Sequence, residues 1–430
     1  MEKATTEEPT KFIQFGCWNN INKDGCLEKV MIKLNEYVTN FNPDFIVVTG
    51  DNYYPQKEKK KDKDKDKQKK IAIVDGEPVV KEKKEKKATV DGKIEPPAGE
   101  KKKIIVLNDI EYGFQLLPKN MPIYTILGNH DLERFDEDKK NLFVDGPDSS
   151  RREENRRCEI VTKQIETISA LPNISYDFFK SVKLANNTLL LMIDTSIYEN
   201  ITDSNKYLPC YQKFADLNSV ALPIRSTETI DTLRAYQLTK IQDAIGEKPF
   251  SNIIMAGHHP IQQLKLKKGE DKIFTDIEDF KVVLKEIYRL TSTSKFYYLC
   301  SDLHLYQEGT IHLPVDDSSM EIKQYIVGTG GTELDPMPLG NIGNDVYNGI
   351  SSIKECGFLA CDVTGSEPIF TFIPVTTVPL TVAATDLPAN PNAAADASEF
   401  SGGKRKRRSK KYKYGTRRRR RNTRKKYKKR

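Results

Sequence analysis

Residues 45–54 read FIVVTGDNYY and decide the fold of this 430-residue chain. The first five form an almost unbroken apolar run, which is typical of a parallel strand buried on both faces. Gly50 and Asp51 follow at once. In open α/β sheets, ligands collect at the carboxyl ends of such strands. The stretch therefore predicts a central parallel strand that delivers Asp51 to a site.

Three later segments repeat this pattern of a strand followed by polar residues. Strands are predicted at residues 122–127, 252–256 and 296–300, and they are followed by GNHD (128–131), GHHP (257–260) and SDLH (301–304). Four of the five histidines lie in these segments, and only His312 lies elsewhere. Histidine gathered with carboxylate and amide oxygens indicates a pair of metal ions that carry out hydrolysis. Helical spacing predicts helices over 230–245, ended by Gly246, and over 277–290.

The composition argues against a membrane-spanning protein, because no stretch approaches the roughly 18 consecutive apolar residues that a bilayer helix needs. Residues 1–10 are polar and acidic, so no secretory signal is expected. We therefore expect an intracellular protein of the cytoplasm or nucleus, or of a virion if the chain is viral. The seven cysteines include no CxxC pair, so free thiols in a reducing compartment are predicted.

Composition divides the chain into five regions. We expect a flexible N-terminus (1–10), one folded domain (11–375) with a Lys-rich insertion (56–103), an Ala/Pro/Ser linker (376–403) and a basic tail (404–430). The insertion holds 18 Lys and 11 acidic residues. It cannot bury enough apolar surface to offset the entropy of ordering, so it is predicted to be disordered. A solvated spacer is the simpler role, and a polyanion-binding element is the alternative.

The basic tail needs an explanation of its own. It contains 19 Lys and Arg and no acidic residue, so the rest of the chain carries a net charge of −11 within the total of +8. Phosphate backbones bind such tracts through charge neutralisation, so nucleic acid or another polyanion is the predicted partner. An import signal and an anionic membrane surface are alternatives. The residues expected to make these contacts are Arg417, Arg418, Arg419, Arg420, Arg421, Lys425 and Lys426.

The four segments resemble the motifs of the calcineurin-like metallophosphoesterases, nearest to the purple acid phosphatase and tartrate-resistant acid phosphatase branch. The resemblance spans roughly residues 11–375, apart from the insertion. It implies an α/β (α+β) fold in which two packed mixed β-sheets are flanked by helices, as a four-layer αββα sandwich. In the branch a tyrosine supplies a phenolate to ferric iron, and by that match Tyr54 is the corresponding ligand.

The resemblance implies two metal ions, of iron, zinc or manganese. The first would be bound by Cys17, Asp51, Tyr54 and His304, and the second by Asp51, Asn129, His258 and Asp302. Two of these residues depart from the family pattern. Cys17 stands where the family has an aspartate, and Asp302 stands where it has a histidine. Cys17 either ligates zinc or ferrous iron as a thiolate or remains a thiol that weakens the first site.

The remaining site residues receive catalytic or supporting roles. His130 is suited to protonating a leaving oxygen, and Asp131 is expected to orient its ring. Asn52 and His259 are expected to face substrate or to support the ligands. The implied function is a phosphatase that hydrolyses phosphomonoesters with a metal-bound hydroxide. The alternative is a catalytically weakened phosphoesterase fold that acts through its tail as a polyanion-binding or structural protein.

Overall fold

A computed structural model gives the structure of the protein. It describes residues 8–21, 25–54, 107–133, 156–200, 204–218, 222–223, 229–246, 249–340 and 342–375, together with short strand pieces at 56–57, 73–74, 77–78, 103–104, 135–136 and 141–142.

Six α-helices are described. They are α1 (Leu27–Phe41), α2 (Leu107–Leu116), α3 (Glu159–Ser169), α4 (Leu208–Asn218), α5 (Ile230–Ile245) and α6 (Phe280–Leu290). The predicted helix over 230–245 is confirmed, and Gly246 follows it with a φ of +59°. Short 3-10 helices occur at His130–Leu132, Ser196–Tyr198 and Ser204–Tyr207.

The first sheet has six strands, and its parallel core carries two of the four segments. Its strands are β1 (Lys11–Phe15), β2 (Phe45–Thr49), β3 (Ile123–Ile126), β4 (Ile174–Tyr176), β14 (Gly357–Asp362) and β15 (Ile369–Pro374), in the spatial order β4-β3-β2-β1-β14-β15. The pairs β1–β2, β2–β3 and β3–β4 are parallel, whereas β14 and β15 are antiparallel. The predicted strand at 45–49 is therefore central and parallel.

The second sheet has seven strands and carries the other two segments. Its strands are β5 (Phe179–Leu184), β6 (Thr188–Ile193), β7 (Asn252–Ala256), β10 (Lys295–Cys300), β11 (Tyr306–Val315), β12 (Ser318–Val327) and β13 (Tyr347–Ile353), in the order β5-β6-β7-β10-β12-β11-β13. The strands β6, β7, β10 and β12 run parallel to one another. A separate hairpin, β8 (Gln263–Lys267) and β9 (Glu270–Phe274), follows the GHHP segment.

Alternate side chains of the central strands pack on opposite faces of each sheet. From the first sheet, Phe12, Phe45 and Val47 belong to one buried cluster with Leu190 and Met192 of the second sheet. This cluster lies between the two sheets. Because successive residues of a strand point to opposite faces, the intervening residues must be covered from the other side.

Helices cover those outer faces. Ile13, Ile46 and Val48 lie in a second buried cluster with Val30 and Leu34 of α1, and that cluster also contains residues of α5 and α6. Each fully buried aliphatic or Phe side chain stabilises the fold by about 1.5–3 kcal/mol relative to an exposed one. The helix-sheet-sheet-helix layering confirms the predicted fold class, and it explains why the strand sequences are apolar at nearly every position.

Two disulfides contradict the prediction of free thiols throughout. Cys26 is bonded to Cys356, and Cys158 to Cys210, whereas the other three cysteines are free and buried. The paired residues are 330 and 52 positions apart, so only the fold brings them together. Disulfides persist in oxidising environments, whereas the sequence had indicated a reducing one.

Several predicted regions lie outside the described residues. These are residues 1–7, most of the insertion, the linker beyond 375 and the basic tail with Arg417, Arg418, Arg419, Arg420, Arg421, Lys425 and Lys426. At the two ends of the insertion, Gln56–Lys57 pairs antiparallel with Lys103–Ile104. Among the described residues, no helix has the length and apolar character needed to cross a bilayer.

Candidate metal centre

The seven predicted ligands come together where the parallel strands of both sheets end. Cys17 follows β1, Asp51 and Tyr54 follow β2, and Asn129 follows β3. From the second sheet, His258 follows β7, and Asp302 and His304 follow β10. The two sheets pack face to face with their carboxyl ends at one edge, so residues more than 280 positions apart in sequence become neighbours.

One oxygen of the Asp51 carboxylate faces the ligands predicted for the first metal. Its Oδ2 atom accepts a hydrogen bond from the Tyr54 hydroxyl at 2.6 Å and lies 4.0 Å from Cys17 Sγ. The Tyr54 oxygen is also 3.0 Å from His304 Nε2. Sulfur, phenol, carboxylate and imidazole thus form one group around Asp51 Oδ2.

The other oxygen faces the ligands predicted for the second metal. Asp51 Oδ1 lies 3.3 Å from His258 Nε2 and accepts a hydrogen bond from the His130 backbone N–H at 3.1 Å. The same Nε2 atom is 3.1 Å from Asn129 Oδ1 and 3.9 Å from Asp302 Oδ1. Asp51 therefore lies between the two groups, with one oxygen on each side.

In its neutral form, the ring of His258 presents a lone pair to three oxygen atoms. Its Nδ1 atom is 2.8 Å from the Thr49 carbonyl oxygen, which can only accept, so Nδ1 carries a proton. In the neutral ring Nε2 then has a lone pair, and it points at the oxygens of Asp51, Asn129 and Asp302. Four electron-pair donors facing one another repel unless a cation or a proton lies between them. The donor set therefore fits a metal ion.

Three of the predicted ligands have unusual backbone conformations. Cys17, Asp51 and Asp302 have φ angles of +50°, +52° and +47°, in the left-handed region that non-glycine residues seldom adopt. The chain also packs tightly behind Asp51. A Cβ atom on Gly128 would lie 2.3 Å from Asp51 Oδ1, so the GNHD segment needs glycine at this position.

Burial disfavours the deprotonated forms of two of the predicted ligands. Burial, followed by the negative charge of Asp51, raises the pKa of the Cys17 thiol well above its ordinary value. The same two causes raise the pKa of the Tyr54 hydroxyl. For His258, burial acts to lower the pKa, but Asp51 and Asp302 more than offset it, and the pKa is raised. A bound metal ion would have to displace these protons, as thiolate and phenolate ligands require.

His259 adds a buried nitrogen beside the second group. Its ring is 1% exposed, its Nδ1 atom is 3.3 Å from Thr195 Oγ1, and Nε2 has no hydrogen-bond partner among the described residues. Burial, followed by the neighbouring His258, lowers the pKa of His259 to about 3, so the ring is neutral. One ligand atom each from His258, His259 and Asp302 lies within 4.8 Å of the others. A buried ring nitrogen of this kind requires a partner, which a metal ion or substrate can supply.

The ring of His130 is paired with a residue that the sequence argument missed. Its Nδ1 atom is 2.8 Å from Glu133 Oε1. The predicted partner, Asp131, instead accepts hydrogen bonds from the backbone N–H of Gly128 and from Gln164 Nε2, each at 2.8 Å. Glu133, rather than Asp131, thus orients the ring. The prediction failed because the 3-10 turn at His130–Leu132 places position 133, not 131, beside the imidazole.

Asn52 lies behind the centre and ties two segments together. Its backbone N–H and its Nδ2 atom both donate to the Asp131 carboxylate at 2.8 Å. Its Oδ1 atom accepts from Trp18 Nε1 at 3.0 Å. The side chain is fully buried, so Asn52 supports the loops that carry the ligands and does not face substrate.

Other supporting contacts also escaped the sequence argument. Thr195 Oγ1 accepts from the backbone N–H groups of His258 and His259, each at 3.0 Å, and Asp335 accepts from the His304 backbone at 3.0 Å. These partners are 31 to 64 residues from the groups they hold, so no local signal indicates them. Glu133 is different, because a spacing of three residues is one at which side chains meet on a helical turn.

One comparison with known proteins identifies the family. A family model described as calcineurin-like phosphoesterase matches residues 10–284. Among solved structures, the chain is similar to GAP50, the anchor in the inner membrane complex of Plasmodium (13% identity, 86% of each chain covered, TM-score 0.42). It is also similar to PhoD (10% identity, 85% of this chain and 69% of that chain, TM-score 0.43). A third similar structure is a dimetal phosphatase from Danio rerio (9% identity, 86% of this chain and 98% of that chain, TM-score 0.39). The comparison with curated proteins found no match.

Proposed function

Because the chain belongs to the calcineurin-like phosphoesterase family, we propose that it is a metal-dependent hydrolase of phosphoesters, with acid-phosphatase-like activity on phosphomonoesters. The observation that carries the proposal is the position of Asp51. Its two oxygens face two separate groups of ligand atoms, as a carboxylate shared by two metal ions requires.

The residues divide between the two groups as follows. Cys17, Tyr54 and His304 would hold the first ion with Asp51, and Asn129, His258 and Asp302 would hold the second. Bound ions would supply a nucleophile at neutral pH and neutralise the charge of the phosphoryl group. The chain's own residues then orient the substrate and provide the proton for the leaving oxygen.

His130 is the proposed proton donor. Its Nδ1 atom is held by Glu133 at 2.8 Å, and a quarter of the side chain is exposed, so substrate can approach the ring. The Glu133 contact fixes the orientation of the ring. An acid placed in this way contributes about 10²–10⁴-fold to the rate. His259, with its buried Nε2 atom, is the proposed contact for a phosphoryl oxygen.

Cys17 determines which ions the first group accepts. A thiolate is a soft ligand that suits zinc and ferrous iron better than manganese or ferric iron. The Tyr54 hydroxyl, by contrast, resembles the phenolate ligand of the purple acid phosphatase branch. We therefore infer zinc or ferrous iron at the first position, with manganese, zinc or iron at the second.

The test is phosphatase activity with matched histidine variants. Purified protein supplied with Zn²⁺, Mn²⁺ or Fe²⁺ is assayed on an aryl phosphomonoester and on the corresponding diester. We expect metal-dependent hydrolysis that is lost in His258→Ala and in Asp51→Ala, and retained in His312→Ala. His312 is the one histidine outside the four segments, on β11. Activity that is equal in the His258 and His312 variants would refute the proposal.

The alternative is a protein that keeps the phosphoesterase fold but hydrolyses phosphoesters only slowly, and that acts as a polyanion-binding or structural protein. It is favoured by one observation, the buried Cys17 thiol whose raised pKa opposes thiolate formation. Metal analysis separates the two functions. Two ions per chain after supplementation favour the hydrolase, whereas one ion or none favours the weakened fold.

Binding of nucleic acid or another polyanion by the tail remains a separate prediction, tested by salt titration with and without residues 404–430.

A further inference from the structure

Asp302 is held from two sides, and each of its oxygens has a different set of partners. Its Oδ1 atom faces the metal centre, 3.9 Å from His258 Nε2. Its Oδ2 atom is turned the other way, 3.6 Å from Lys265 Nζ and 3.3 Å from Gln263 Nε2. The carboxylate thus joins the centre to the hairpin that follows the GHHP segment.

Both partners of Asp302 Oδ2, Gln263 and Lys265, lie on strand β8. Gln263 and Lys265 are two positions apart, so they lie on the same face of the strand. Leu264, between them, is buried, and its backbone N–H donates to Gln307 Oε1 at 2.9 Å. That contact fixes the strand against the sheet. The Gln263 amide also donates to Asp276, which locks its orientation toward Asp302.

The positive charge of Lys265 lies beside one of two neighbouring carboxylates. Asp51 and Asp302 both face His258, and an oxygen of each carboxylate lies within 3.9 Å of His258 Nε2. Two negative charges this close together repel each other. Asp302 is 19% exposed and Lys265 is 33% exposed, so water screens their interaction only in part. Lys265 is the cation nearest to Asp302 among the described residues. It offsets one of the two negative charges and still permits Oδ1 to turn inward.

We propose that Lys265 and Asp302 act as one ligand unit, in which Lys265 is a positioning residue that holds Asp302 Oδ1 toward the second metal ion. The inference rests on the proposed function for the existence of that ion. It assigns to Lys265, on a hairpin outside the four segments, a part in selecting and retaining the metal. A lysine that served only as a surface charge would repel the incoming cation whatever residue occupied position 302.

Zn²⁺ affinity in four proteins tests the unit. The full chain, Lys265→Met, Asp302→Asn and the double variant are titrated in competition with a chromophoric chelator. If Lys265 positions Asp302, Lys265→Met weakens Zn²⁺ binding in the parent chain by about tenfold, within the range of coupling between contacting residues. In the Asp302→Asn background no carboxylate needs positioning. There the same substitution removes only a repelling charge and strengthens binding.

If Lys265→Met changes the Zn²⁺ affinity by the same factor and in the same direction in the parent chain and in Asp302→Asn, the proposal is overturned. Lys265→Arg retains the charge and should bind Zn²⁺ within about threefold of the parent chain. Lys267→Met is the matched control, since Lys267 lies on the same strand with its ammonium 4.8 Å from the Phe274 ring, and it should leave the affinity unchanged. Circular dichroism verifies that each variant is folded. Hydrolysis is not the readout, so a chain that binds Zn²⁺ with this coupling but cleaves no phosphoester refutes the proposed function and supports the ligand unit.

Discussion

Replacing Asp194 by Asn should change how the stability of the protein depends on pH. Asp194 lies just after β6 and is fully buried. Its Oδ1 atom accepts from the Ser196 backbone N–H at 2.9 Å, and its Oδ2 atom accepts from the Tyr211 hydroxyl at 3.0 Å. Asparagine has the same shape and can keep both contacts, because its amide N–H can donate to the Tyr211 oxygen. The substitution therefore removes a charge and little else.

The magnitude follows from the pKa of the carboxyl group. Burial raises the pKa of Asp194 from 3.8 to about 7, and the hydrogen bonds from Ser196 and Tyr211 offset this only in part. Because the folded-state pKa is the higher one, the group's contribution to stability is fully present below pH 3.8 and is lost as pH rises through about 7. With about 1.4 kcal/mol for each pKa unit, the loss is on the order of 4 kcal/mol.

The assay is urea unfolding at pH 4, 5, 6, 7 and 8, followed by circular dichroism in the presence of a chelator. We expect the variant to gain stability relative to the parent chain as pH rises, by up to about 4 kcal/mol at pH 8. Other titrating groups are common to both proteins and cancel in the difference. Asp316→Asn is the control, because this exposed carboxylate pairs with Arg289 and its pKa is lowered. A difference that is flat with pH for Asp194→Asn would refute the reasoning.

Further predictions follow from the geometry of the centre. Gly128→Ala places a Cβ atom 2.3 Å from Asp51 Oδ1, so it should displace that carboxylate and lower the bound metal measured by elemental analysis, whereas Gly365→Ala should not. Glu133→Gln removes the charge that holds the His130 ring, so kcat should fall about tenfold with little change in KM. Thiol titration of the denatured chain should detect three of seven cysteines before reduction and seven afterwards; seven before reduction would contradict the disulfides.

Much of the fold could be predicted, because the information is local. An apolar run such as Phe45–Thr49 is buried completely only in a strand whose sheet is covered on both faces. The polar residues after the run mark the carboxyl end of the strand. The helix Ile230–Ile245 was indicated by its period and by Gly246. Helix α6 begins at Phe280, three residues later than predicted, since residues 277–279 form a turn in which the Phe280 N–H bonds to the Ile277 carbonyl.

The disulfide pairing and the residues that orient the candidate ligands could not be predicted, because they depend on contacts between residues far apart in the sequence. The partner of Cys26 is 330 residues away, and no spacing rule connects them. Lys265 looks like an ordinary surface lysine on a hairpin, and only the fold places it beside Asp302. The candidate ligands could be predicted because each follows a strand, whereas the groups that orient them come from loops and from the neighbouring sheet.

Trp18 gives the protein a built-in optical probe. It is the single tryptophan of the chain, it is fully buried, and it follows Cys17 directly. Its indole N–H donates to Asn52, which in turn binds the Asp131 carboxylate, so the chromophore is connected to two of the four segments. Tryptophan emission from the native chain therefore originates from one defined place next to the candidate ligands. Quenching by a paramagnetic or coloured ion such as Co²⁺ can report occupancy without any label.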